Sequence, residues 1–173
     1  MKELIWWLAT YVLLALASPV LGHLQSQWYA PDVALLTALY AGGRTTLLRS
    51  VMLAFVLGLC RDGFAVSTPA GLYTEVLVLV TLAGRVLATR VDLRSPVPLM
   101  ATAAGVSVAA TLLFLAFEAT FHRSFDAYGD VLRMTMPLAL VTMLVAPVQF
   151  ALLQALTRRF EARDRNEGHY LSR

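Results

Sequence analysis

Residues 97–117 read VPLMATAAGVSVAATLLFLAF, with no Asp, Glu, Lys, Arg or His among them. A helix rises about 1.5 Å per residue, so a run of this length crosses the roughly 30 Å hydrocarbon core of a bilayer. Comparable apolar runs occupy residues 4–22, 47–66, 70–87 and 131–156. A sixth, residues 32–42, is short for a full span. It is expected to be a short, tilted or partly re-entrant helix, tolerable only where neighbours cover its ends. The pattern predicts an all-α membrane protein, a six-transmembrane-helix bundle over residues 1–156, with a basic tail over 157–173.

Composition supports the same class. Of 173 residues, 58% are hydrophobic and 14% charged, with a mean hydropathy of +0.68. Soluble domains carry about 25% charged residues, and a domain this small cannot bury so much apolar surface within itself. The excess is expected to face lipid. That argues against a soluble enzyme, a nucleic-acid-binding domain and a disordered regulator. The single cysteine, Cys60, excludes an internal disulfide or a cysteine-rich metal site.

Charge placement predicts an orientation. With the N-terminus in the cytoplasm, that side receives Lys2, Arg44, Arg49, Arg85, Arg90, Arg94, Arg158, Arg159, Arg163, Arg165 and Arg173. The opposite side receives Arg61, Arg123 and Arg133. The positive-inside rule then places both termini in the cytoplasm, with anionic lipid the expected partner of the Arg-rich loops and no role for nucleic acid. A cleavable signal peptide ending near Ala15-Leu16-Ala17 is the alternative for the first run. That run continues past the triplet and Glu3 weakens its basic start, so a retained helix is expected.

Ionisable residues at membrane depth are costly and are the first candidates for function. Asp32 follows Pro31 at the start of the short segment, where it suits a helix cap. Arg61 and Asp62 close the third run. Adjacent helical residues point about 100° apart, so they need not pair with each other. Arg61 suits an interfacial snorkelling position, and Asp62 either that, an anchor for the turn running from Gly63 to Gly71, or a contact for a partner helix. Glu75 lies one turn into the fourth run, near the interface or facing a polar cavity. Glu118, His122, Arg123, Asp126 and Asp130 resemble a solvated loop, and no second histidine supports a metal site.

The sequence contains no glycine-rich phosphate loop, nucleophile elbow or His-Glu-x-x-His. An acid/base pair would require Asp62 and Glu75 to meet across two helices. No catalytic residue, cofactor or metal is therefore expected. Ala54 and Gly58, and Ala101, Gly105 and Ala109, are spaced for close helix packing in lipid, within the bundle or against a partner. Trp6, Trp7 and Trp28 suit interfacial anchors, and Pro137 and Pro147 should kink the last helix.

Pro31-Asp32 opening the stretch Leu35-Leu36-Thr37-Ala38-Leu39-Tyr40, followed by a basic turn at Arg44, resembles the bacterial rod-shape-determining MreD family. So does Phe55-Val56-Leu57-Gly58-Leu59-Cys60-Arg61-Asp62, which follows that family's Phe-x-x-Gly-x-x-x-Asp run, with Gly71 beyond it. The resemblance implies an S-component-like fold and a non-catalytic scaffold or regulator in the bacterial inner membrane. It implies a partnership with MreC that links MreB filaments to the peptidoglycan synthases RodA and a class B penicillin-binding protein, maintaining cell shape. Pro31, Asp32, Tyr40, Phe55, Gly58, Asp62 and Gly71 are the motif positions it carries. The alternative is a substrate-binding S-component of a vitamin or small-solute transporter. Leu13 interrupts the Ala-x-x-x-Ala spacing that such proteins use for docking, which weighs mildly against it.

Overall fold

The computed structural model describes residues 8, 10–12, 31–64, 71–92, 95–121 and 128–170, with the side chains of the last helix to residue 159. The described elements are all helical: α1 (Val33–Arg44), α2 (Leu47–Phe64), α3 (Leu72–Arg90), α4 (Pro96–Phe121) and α5 (Tyr128–Tyr170). Apart from the end of α5, they follow the predicted segments closely. The predicted first segment lies mostly outside the described residues, as do Trp6, Trp7 and Trp28; Thr10 within it is helical.

α3, α4 and α5 are long and apolar enough to cross a membrane. α2 has 18 residues but carries Arg49, Arg61 and Asp62. α1 has 12 residues, about 18 Å of helix, well short of a bilayer core. Its start is set by Asp32, whose Oδ1 accepts the Leu35 amide at 3.0 Å. Its end is set at Thr45, where the backbone turns extended and both the amide and hydroxyl donate to the Ala41 carbonyl.

This short helix is the centre of the molecule. Val33 through Gly42 are all buried, so α1 is apolar on every side because it is enclosed on every side. It packs chiefly on α3 and also on α2 and α5; α2 leans on α3, α3 on α4, and α4 on α5. A Cβ at Gly42 would collide with the Thr81 carbonyl of α3, so glycine permits the close approach of the two backbones. The core continues through Leu53, Ala54 and Leu57 of α2, Leu77 and Val80 of α3, and Ala146, Phe150 and Leu153 of α5.

The structure narrows one expectation and extends another. Ala101, Gly105 and Ala109 do not pack into the described bundle: all three are exposed, and nothing lies within 4 Å of a Cβ built on Gly105. The packing face of α4 is instead Leu99, Ala103, Val106 and Ala110. Helix α5 also continues without a break to Tyr170, through both Pro137 and Pro147 and across the predicted boundary at residue 157. The start of the tail is thus a continuation of the last helix.

Candidate functional site

The charged residues singled out in the sequence converge where α1 and α3 begin and α2 ends. Arg61, near the end of α2, forms an ion pair with Asp32. The same Asp32 oxygen caps α1, so one carboxylate sets both the start of the central helix and its link to α2. The Asp32 amide donates to Thr142 Oγ1 of α5 at 3.3 Å. Arg61 also lies over the Tyr73 ring, 4.4 Å from its centroid, in cation–π geometry. Tyr73 in turn stacks at 5.1 Å on Phe114 of α4. This junction therefore joins all five described helices.

Asp62 performs a separate task beside it. Its Oδ2 accepts the Gly71 amide at 3.0 Å, the Thr74 amide at 3.3 Å and the Thr74 hydroxyl at 2.7 Å. Its Oδ1 accepts the Tyr73 amide at 3.1 Å. The first amides of a helix lack intrahelical partners and carry positive partial charge, which is why a carboxylate suits this position. Here it comes from the preceding helix, because Gly71 stands at the N-cap in a left-handed conformation (φ +103°) and has no side chain to cap with. Asp62 is thus an anchor at the Gly71 end of the turn; residues 65–70 lie outside the described region.

Gly58, one turn before Asp62, fits against Thr74. A Cβ there would overlap the Thr74 backbone and approach its hydroxyl oxygen to 2.8 Å. Without that side chain α2 and α3 approach closely enough for Asp62 to reach the α3 amides. Ala54, one turn earlier, is fully buried on the same side. Tyr40 is buried against Phe150, ring edge to ring face at 5.1 Å. Pro31 is half-buried at the entrance to α1, while Phe55 is exposed on the outer surface of α2.

Other candidates separate. Glu75 is exposed in the first turn of α3, while the Asp62 carboxylate is occupied by α3 amides. Asp130 is exposed in the first turn of α5. Glu118 is buried within α4, at 1% exposure, rather than in a solvated loop. His122, Arg123 and Asp126 lie outside the described residues. Among the described residues, no three His, Cys, Asp or Glu side chains group as metal ligands.

The sequence reading missed a polar network inside the core. Gln149 Nε2 donates to the Val33 carbonyl at 2.8 Å and to Thr37 Oγ1 at 2.9 Å. Thr37 itself donates to Val33 and meets Thr10 of the first segment at 2.9 Å. A signal was present: Thr142 and Gln149 are polar residues two turns apart inside an otherwise apolar run, and so share one helix face.

The chain matches no family model, no curated protein and no solved structure.

Proposed function

We propose that this chain is a non-catalytic scaffold of the bacterial machinery for lateral wall synthesis, related to the MreD family. In this reading it is a multi-pass protein of the inner membrane with six spans and both termini in the cytoplasm. It works with an MreC-like periplasmic partner to couple MreB filaments to RodA and a class B penicillin-binding protein.

The observation that supports it is the use made of the motif residues. Asp32, Gly58, Asp62 and Gly71, four of the seven positions through which the chain resembles the family, serve contacts between helices, whereas Phe55 faces outward. Both carboxylates accept from helix amides, and Asp32 also pairs with Arg61. This is the economy of a rigid docking frame rather than of a proton-transfer site, which needs a carboxyl group open to its substrate. The distribution of arginines supports the orientation. Arg44, Arg49, Arg85 and Arg90 gather where α1 and α3 end and α2 begins, and α5 runs from Thr142 past Phe150 toward Arg158 and Arg159 on that side.

Depletion of the protein in its native host tests the proposal. Rod-shaped cells should round up while wall synthesis loses its lateral organisation. Cells that keep their width and length would overturn it, and a growth requirement for one vitamin would favour a solute-binding role instead.

A further inference from the structure

At the opposite end of α1 from Asp32 lies a second, smaller feature that the scaffold reading does not use. A cavity of about 260 Å³ opens where α1 and α3 end, beside α5. Tyr40 and Phe150 wall it, Gly43 and Ala88 pass closely beneath it, and Arg44 and Asp92 both line it. A Cβ at Gly43 would come within 2.9 Å of the Ala88 Cβ, so the glycine helps keep this corner narrow. The volume is below the roughly 300–1,000 Å³ typical of sites for drug-sized ligands, which suits a small polar group.

The lining carries two opposite demands. Among the described residues the Arg44 guanidinium makes no hydrogen bond or ion pair, and its contact is the Tyr40 ring, 5.6 Å from the centroid. Its neighbour Arg85 is committed, donating to the Thr45 carbonyl at 3.1 Å. Arg44 therefore has donors to offer an anion, and a guanidinium fork matches phosphate oxygens. Asp92 pulls the other way. Already partnered, among others by Ser95 Oγ, which donates to it at 3.3 Å, it adds a carboxylate's negative charge to a place where two helices also end. Helix C-termini expose carbonyls and carry negative partial charge, which favours cations. A simple anion would gain at Arg44 and lose at Asp92. A group carrying a phosphate and a primary ammonium a few bonds apart satisfies both.

We propose that this cavity binds the phosphoethanolamine headgroup of a zwitterionic phospholipid, with its phosphate at Arg44 and its ammonium at Asp92 and the helix-end carbonyls. The inference rests on the chain lying in a bilayer and not on the scaffold role. It differs from diffuse attraction of anionic lipid to arginines, because it requires the carboxylate.

Purified full-length protein in detergent, titrated with short-chain phosphatidylethanolamine, phosphatidylglycerol or phosphatidylcholine and followed by native mass spectrometry, tests this. Phosphatidylethanolamine should bind most tightly, since the anionic lipid lacks the ammonium and choline cannot donate hydrogen bonds. Arg44→Gln should weaken it roughly tenfold to a hundredfold, as expected for losing charge-assisted bonds. Asp92→Asn should erase the preference over phosphatidylglycerol, and Arg49→Gln should change nothing. Equal binding of the three lipids, or a preference that survives Asp92→Asn, would overturn the proposal. Soluble phosphoethanolamine, run in parallel, separates the sources: competition at equal concentration assigns the site to the free molecule, and no competition assigns it to the lipid. The lipids that co-purify with the unaltered chain give a reading that no folding defect can blur. Enrichment of phosphatidylethanolamine over the host membrane supports the site, and its depletion overturns it.

Discussion

Arg61 and Asp32 stand 29 positions apart in the chain, yet their ion pair joins the end of α2 to the first turn of the central helix. Their side chains are 26% and 12% exposed, so the pair is shielded but not sealed. Arginine stays protonated under all ordinary conditions, and removing Asp32 would leave a poorly hydrated cation against Tyr73.

Breaking this pair from the Asp32 side should therefore cost more than removing it altogether. Asp32→Ala loses the helix cap as well and should destabilise by about 3 kcal/mol, within the range for orphaned buried charges. Arg61→Met should cost less, because the cap survives. Thermal unfolding in detergent of the two variants and the double variant gives the coupling energy directly; purely additive effects would refute a working pair.

Asp62 accepts four hydrogen bonds at the start of α3, three from backbone amides and one from the Thr74 hydroxyl. Asp62→Ala should destabilise by about 2 kcal/mol, and Asp62→Asn by less, since its carbonyl oxygen still accepts. Amide hydrogen exchange should accelerate at Gly71, Tyr73 and Thr74 before other parts of α3. Uniform exchange along the helix would argue against a local cap.

Gly58 and Gly105 should respond oppositely to alanine. At Gly58 the added methyl meets the Thr74 backbone, which cannot swing away, so a loss of about 1–3 kcal/mol is expected. At Gly105 the methyl meets nothing within 4 Å, and alanine should stabilise the helix by about 0.5–1 kcal/mol. Melting temperatures of the two variants on one protein preparation decide the contrast.

The Gln149 network should tolerate concerted removal better than partial removal. Gln149 Oε1 is buried with no hydrogen-bond partner among the described residues. Gln149→Met removes that cost and leaves Thr37 its contacts with Val33 and Thr10, so a change within about 1 kcal/mol is expected. Thr37→Val should cost about 1–3 kcal/mol, and much less when Gln149→Met is already present. Equal penalties in both backgrounds would show that the two side chains act independently.

Helix positions were legible because they depend on local properties. Apolar runs, the Pro31-Asp32 start and the basic ends located every described helix to within a few residues, except at the end of α5. There the sequence turns polar at residue 157 while the backbone stays helical, since polar residues such as Glu, Arg and Gln also favour helix. The candidate site was legible only in part. Asp32 as a cap followed from its place at a helix start, while an anchor at Asp62 was one of several readings its place at a helix end allowed. Their partners did not follow, because Arg61 is 29 residues from Asp32 and the amides of Tyr73 and Thr74 carry no signature in the sequence.

The sequence by itself determined that this is a helical, strongly apolar chain, where its helices begin, and where small residues allow close approach. Tertiary structure alone decided which helix became the centre, which small residues face a neighbour and which carboxylate meets which cation. The reason is physical. Helix formation and the demand for apolar surface are satisfied within a few turns of chain, and they leave a record in composition and spacing. A helix apolar on every side carries no record of which side its neighbour takes. Thus α1 reads as merely a short span, and Ala101, Gly105 and Ala109 read as a packing face, until the other helices take their places: α1 is enclosed, and the stripe on α4 points outward.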